Sequence, residues 1–233
     1  MKFTATLNED KNCYASPAQR EIIVQLINHN ILKDDFFLTG GTALSVFYLH
    51  HRRSMDLDFF TLKQIDLSEI DFSSKRIWKN SYIKIKESPN FLSVLIHNVK
   101  IDFVIDPLSF EEEREQYAID VNKFLLIDTL RNIFSNKFCA IVSRTEPKDF
   151  IDFYCINKKL KIDSLVTLYV EAQKKDAIFD DPPTVAYQIE QGLQFLQKNP
   201  EIFPHMFIEF DFEDFLDFYH HTINWIYRKI ENE

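Results

Sequence analysis

Apolar residues recur at helical spacing through Ile22, Ile23, Leu26 and Ile27, behind a serine cap and a helix-starting proline at Ser16-Pro17. The spacing predicts a helix that ends near Asn30. Phe36-Phe37-Leu38 is an unbroken apolar run of strand length, and it meets a Gly40-Gly41 turn. Leu44, Phe47 and Tyr48 then return to helical spacing within Thr42 to His51. Asp56 to Phe60 alternates, so a strand there sets Asp56 and Asp58 on one face and Leu57 and Phe59 on the other. A short helix is expected over Asp66 to Lys75, carried by Leu67, Ile70 and Phe72. Three strand-like runs follow, Ser81 to Glu87, Phe91 to His97 and Val99 to Ile105, separated by the turn residues Ser88-Pro89-Asn90 and His97-Asn98.

The pattern changes beyond Leu108. Glu111 to Glu115 is a charge run, expected as a solvated face. Phe124 to Ile127 suits one more strand. Asp128 can cap a long helix over Thr129 to Ser143 whose apolar side is Leu130, Ile133, Phe134, Phe138 and Ile141. From Lys161 onward the period is helical. Leu165, Leu168, Tyr169 and Ala172 mark one helix, and Val185, Ile189, Leu193 and Leu196 a second. A third carries the stripe Phe212, Phe215, Leu216, Tyr219, Ile223 and Ile226, expected as core or as a dock for a partner chain. These elements predict an α+β chain: residues 1–108 with a small mixed sheet flanked by helices, then a mainly helical 109–233.

The 233 residues suffice for a core in each part, and the net charge of −9 argues against a protein built to coat nucleic acid. It leaves room for an enzyme with a local basic patch. Cys13, Cys139 and Cys155 have no ligand spacing and suit reduced thiols. The histidine pairs His50-His51 and His220-His221 likewise lack metal-ligand spacing and are expected to be structural. No apolar run approaches a membrane span and the N-terminus carries no signal core, so a soluble, cytoplasmic protein without a membrane partner is expected.

The chemistry concentrates between Phe36 and Phe60. Only three glycines occur in the chain, and two of them are Gly40 and Gly41. Glycines let backbone approach a phosphate closely, and the helix start behind them offers N–H groups to an anion. Asp56 and Asp58 on one strand face repel each other unless a cation lies between them, and a divalent metal answers that need. Asp102, among the apolar residues of its strand, is costly unless paired or metal-bound.

A Gly-Gly turn, a helix and Asp-x-Asp on the next strand resemble the signature of the polymerase-β-like nucleotidyltransferases. The fuller string GGTALSVFYLHHRRSMDLDFF is similar to the AbiEii-type branch, nucleotidyltransferase toxins of abortive-infection and toxin–antitoxin pairs. That branch's Arg-x-Ser-x-Asp-x-Asp run stands here as Arg52 to Asp58. The resemblance implies Asp56, Asp58 and Asp102 as metal ligands, with Asp106 a rival for the third place. It implies Gly40, Gly41, Thr42 and Arg53 as nucleotide-binding. A second stretch, KFCAIVSRTEPKDFIDFY, resembles the family's Lys, Ala, Arg, Lys/Arg-Asp-x-x-Asp pattern and marks Lys137, Arg144, Asp149 and Asp152, with Lys137 and Arg144 also implied as nucleotide-binding. Lys137 can hold a triphosphate as a point charge. Asp149 or Asp152 can take the proton of an attacking hydroxyl, and a surface salt-bridge cluster is the alternative.

The implied fold is an N-terminal nucleotidyltransferase domain, 1–108, and a helical C-terminal domain, 109–233, closing on one site. The implied reaction moves a nucleoside monophosphate from an NTP to an acceptor hydroxyl with two Mg²⁺ ions, about 4 Å apart in such sites. RNA, tRNA first, is the implied acceptor, and a cognate antitoxin the implied partner. Two further readings stand beside it: transfer to a small molecule or protein, and a non-catalytic nucleotide- or partner-binding module.

Overall fold

The computed structural model describes residues 7–33, 35–160 and 165–230. Two compact units form, Met1–Asn132 and Ile133–Glu233.

The first unit contains α1 (Pro17–Asn28), β1 (Phe37–Thr39), α2 (Gly40–Ala43) continuing into a π-helical turn (Leu44–Leu49), β2 (Leu57–Thr61) and α3 (Leu67–Trp78). It continues with β3 (Tyr82–Ser88), β4 (Phe91–Ile96), β5 (Val99–Ile105), β6 (Glu115–Asp120) and β7 (Lys123–Ile127). The seven strands make one mixed sheet in the order β3-β4-β5-β2-β1-β7-β6. The unbroken apolar runs become its middle. β1 is buried throughout, antiparallel to β2 and parallel to β7, while β2 and β5 are parallel. Phe59 and Phe103 stack on one face at 5.7 Å between ring centroids.

Register sets the polar residues of the other face in a row. Thr39 pairs with Asp58, Asp58 with Asp102, and Asp102 with Ser93, across β1, β2, β5 and β4. Cross-strand partners share a face, so a polar line crosses the centre of an otherwise apolar sheet.

Three expectations change. The helix after the first strand starts at Gly40 itself, and its second half is π-wound, ending at His50 in left-handed conformation (φ 55°). The sheet has one more edge strand than its strand signals suggest: β6 alternates between exposed and half-exposed positions, which hid it among charged residues. β6 and β7 complete this sheet, and the first unit runs on to Asn132. Lastly, the charge run is not all solvated. The Arg114 side chain is 6% exposed, lies 3.2 Å from Asp128 and stacks over the Phe37 ring at 4.1 Å. Its neighbours Glu111 and Glu113 do face solvent.

The second unit takes in most of α4 (Leu130–Ser143) and then α5 (Pro147–Leu160), α6 (Leu165–Gln173), α7 (Pro182–Lys198) and α8 (Phe212–Ile230). Residues 161–164, where the helical period was expected to begin, lie outside the described residues. The aromatic stripe is core: Phe215 and Tyr219 are fully buried, and Tyr219 donates its hydroxyl to the Phe150 carbonyl at 2.7 Å. The Phe153 ring stands 4.7 Å from that of Phe134 and 4.9 Å from that of Phe138. Gly192 on α7 packs on that core, where a Cβ would lie 2.4 Å from the Phe150 ring. Among the described residues no helix is long and apolar enough to cross a membrane.

Candidate active site

The acid face is built by β2 and β5. Asp58 sits inside β2 and Asp56 one residue before it, both half-exposed, while Leu57 and Phe59 point into the core. Asp102 is nearly buried at 8% exposure and is held at 2.5 Å by both Ser93 Oγ and Lys100 Nζ. Lys100, two residues earlier on the same strand face, is with Ser93 a residue of this cluster that the sequence reading did not single out. Burial works to lower its pKa. The hydrogen bond to Asp102, then the charges of Asp102, Asp56 and Asp58, outweigh this and raise it. An ammonium thus already answers the repulsion of three carboxylates. Asp106 caps its own turn, accepting from the Leu108 N–H at 3.0 Å and the Ser109 hydroxyl at 2.7 Å, and takes no part.

The two glycines turn β1 tightly beside these acids. Gly40 is left-handed (φ +66°), and a Cβ there would lie 2.5 Å from Asp58 Oδ2. A Cβ on Gly41 would lie 2.9 Å from Arg52 Nη2 and 3.0 Å from Ser54 Oγ. Both glycines therefore serve first to admit the chain's own functional groups. Thr42, buried, donates to the Asp56 carbonyl and stands 2.9 Å from Ser54 Oγ. Arg52 is buried and donates to the Arg53 carbonyl at 2.8 Å, whereas the Arg53 side chain is exposed. The N-terminal segment braces the same loop. Ser54 N–H donates to the Cys13 carbonyl at 2.9 Å, and the Gln19 amide donates to the Ser54 and Met55 carbonyls at 3.1 Å each. The run before Asp56 is thereby fixed from both sides.

Asp128, expected as a helix cap, does more. It is fully buried, accepts from Thr39 Oγ1 at 2.5 Å and from Asn132 Nδ2 at 2.8 Å, and lies beside Arg114. Thr39 is the residue opposite Asp58, so Asp128 anchors the strand end on which the glycine turn is built.

The second unit holds the other predicted residues. Lys137 on α4 reaches Asp149 at 2.6 Å and Asp152 at 2.7 Å on α5, and Arg144 Nε reaches the second oxygen of Asp149 at 2.7 Å. Both aspartates are fully buried, and Lys137 is 9% exposed at its side chain. Burial works to raise the Asp149 pKa, but Lys137 and then Arg144 hold it below the ordinary carboxylate range. A carboxylate so held is a weak proton acceptor.

A mixed sheet carrying Asp-x-Asp on one strand, a third acid on its parallel neighbour and a Gly-Gly turn beside them defines a nucleotidyltransferase-type domain. The family model described as "Nucleotidyl transferase AbiEii toxin, Type IV TA system" matches residues 21–218, and the chain belongs to that family. By class it is thus an NTP-dependent nucleotidyltransferase of a toxin–antitoxin family. A protein of Aquifex aeolicus (strain VF5) described as uncharacterised is 32% identical over 142 residues, 60% of this chain and 66% of that relative's length. A crystal structure of a candidate nucleotidyltransferase from H. pylori shares the fold with TM-score 0.51 at 19% identity, covering 96% of this chain and 98% of that one. The structure of JHP933 from Helicobacter pylori gives TM-score 0.50 at 18% identity, with 97% and 96% covered.

Proposed function

We propose that the chain moves a nucleoside monophosphate from an NTP to a hydroxyl of an RNA acceptor, tRNA first, releasing pyrophosphate, and that a cognate antitoxin restrains it. The observation that carries this reading is the register-matched pair Asp58 and Asp102, with Asp56 two residues before Asp58 and Gly40 against Asp58. Three carboxylate oxygens are a donor set suited to Mg²⁺. Asp56 and Asp58 would hold it directly, and Asp102 would join when Lys100 leaves its Oδ2. When bound, the ions supply Lewis-acid charge at the transferring phosphoryl group.

The chain's own groups do the rest. Backbone amides of Gly40, Gly41 and Thr42 take the phosphates, with exposed Arg53 adding charge. Thr42, bonded to the Asp56 carbonyl, keeps Asp56 in place. The acceptor hydroxyl attacks the α-phosphorus, the bond to pyrophosphate breaks, and the hydroxyl proton passes to a carboxylate of this face. The Lys137–Asp149–Asp152 cluster supports α4 against α5.

Incubation with each α-labelled NTP, Mg²⁺ and total cellular RNA tests the reading. Label in an RNA band that disappears with Asp58→Ala supports it. Label in a protein or small-molecule fraction moves the acceptor, a real alternative for a chain of net charge −9. No label in any fraction overturns the activity.

Lys100 gives a separate expectation. Its ammonium competes with metal for Asp102, so Lys100→Gln should bind Mn²⁺ roughly tenfold more tightly in the absence of nucleotide. Electron paramagnetic resonance titration of free Mn²⁺ reads this directly. Weaker or unchanged binding would show that the lysine does not occupy the metal's place.

A further inference from the structure

A second group of ligand-type side chains lies apart from the acid face, on segments that the sequence reading treated as unrelated. Asp10, Cys13 and His50 bring one carboxylate oxygen, one sulfur and one ring nitrogen within 4.8 Å of one another. From this geometry we infer a transition-metal site, of the Zn²⁺ class, that clips the N-terminal segment to the end of the helix preceding the Asp-x-Asp strand.

The local structure explains why the three meet. Asp10 and Cys13 are the two ends of a tight turn: Asp10 caps it by accepting from the Asn12 backbone and side-chain amides, both at 3.0 Å, through Oδ1. Asp10 N–H donates to the Val46 carbonyl at 2.9 Å, which lays this turn along the π-helical segment. That segment ends at His50, whose N–H returns to the Ser45 carbonyl at 3.0 Å. A β-unbranched residue other than glycine in left-handed conformation costs free energy, and such strain gathers where geometry is used. The imidazole lies beside the turn, a ring nitrogen within 4.8 Å of the Asp10 and Cys13 ligand atoms. Cys13 is fully buried, and His50 Nδ1 is a buried ring nitrogen with no hydrogen-bond partner among the described residues. A buried nitrogen of that kind is costly unless something fills its lone pair or takes its proton.

The donor set selects the metal. Sulfur, imidazole and carboxylate together suit Zn²⁺ and its neighbours rather than Mg²⁺. Tetrahedral bonds of about 2.0–2.3 Å separate ligand atoms by about 3.5 Å, so side-chain rotation closes the set, leaving a fourth position for water. Charge also balances, since an aspartate and a thiolate neutralise a divalent ion held between half-buried Asp10 and His50 and fully buried Cys13. Without metal the thiol keeps its proton: burial, then Asp10, pushes it up to about 11 against the pull of Arg52 and Arg53. Binding forms the metal–sulfur bond and releases that proton to solvent. The clip's consequence runs through Cys13, whose carbonyl holds the Ser54 N–H in the loop that leads to Asp56.

Cobalt is the probe, because a thiolate ligand gives Co²⁺ a charge-transfer band that carboxylate-only sites lack. The full chain, stripped with chelator and titrated with Co²⁺, should develop that band with one equivalent, and Zn²⁺ should abolish it and raise Tm. Asp58→Ala should keep the band, which separates this site from the acid face and makes the result independent of any transfer activity. Cys13→Ser should lose it while remaining folded by circular dichroism. His50→Asn, which tolerates the left-handed backbone, should weaken binding by tenfold or more, roughly the loss of one of three ligands. A folded wild type with no band overturns the inference, and so does a band that survives in Cys13→Ser.

Discussion

Asp58→Ala is expected to cut nucleotidyl transfer by roughly 10³-fold, about 4 kcal/mol of transition-state stabilisation, while leaving Tm unchanged or slightly raised. The direction of both effects follows from its place. Asp58 stands directly across from Asp102 and beside Asp56 on one face, so its removal relieves like-charge repulsion that the fold otherwise bears. Half-exposed, it contributes little buried surface. Gly40 packs against its carboxylate, so truncation opens space without creating a clash. Single-turnover transfer of label and a thermal melt on the same preparation check the pair of effects. Near-wild-type turnover at saturating Mg²⁺ would remove Asp58 from the chemistry. A large loss of Tm would make it a structural residue instead.

The acid face could be read in the sequence because strand alternation is local. Asp56 and Asp58 share a face by their spacing alone, and Gly40-Gly41 is conspicuous in a chain with three glycines. The partner across from Asp58 could be narrowed to Asp102 by strand pattern and resemblance, and the register confirms the two as neighbours. What local pattern could not supply was the counter-charge. Lys100 has the spacing of a face-sharing residue with Asp102, a signal present at i, i+2, yet lysines at alternate strand positions are ordinarily solvent-facing. Only the parallel pairing of β2 with β5 shows that this face is the acidic one.

Long-range closure hid the rest. Asp10 and Cys13 meet His50 across the chain, joined by backbone hydrogen bonds between the N-terminal turn and the π-helical segment. No spacing rule reaches that far, so the cysteines and histidines looked structural one by one. Arg114 was lost in the same way. Within a run of glutamates it reads as solvated, but Phe37 and Asp128 on distant strands provide a ring face and a carboxylate for it. The strand signal of β6 failed for a different reason: an edge strand half in water has no apolar alternation to display.

The second largest effect expected is on stability. Lys137→Ala should destabilise the fold by about 3–5 kcal/mol, the usual loss when one partner leaves a buried ion cluster. From the sequence, a lysine on an apolar helix suggested the reverse, a neutral or stabilising change with turnover lost. The geometry leads to the opposite expectation, because Lys137 lies between two fully buried carboxylates at 2.6 and 2.7 Å. Its removal takes the shared cation from both, and the exposed Arg144 remains on Asp149. Acid should act on the same cluster. The Asp149 pKa is lowered in the folded state, so its contribution is complete above the unfolded value near 3.8 and is lost as pH falls through the folded one. The difference in stability between wild type and Lys137→Ala should therefore shrink as pH falls and the buried carboxylates take up protons. Denaturant unfolding from neutral to acid pH measures it, and the Lys137→Ala/Asp152→Asn pair should recover part of the loss by removing one of the two charges. Unchanged stability with transfer abolished would return Lys137 to the nucleotide, and Asp149 and Asp152 would then be its positioning residues rather than the clamp between α4 and α5.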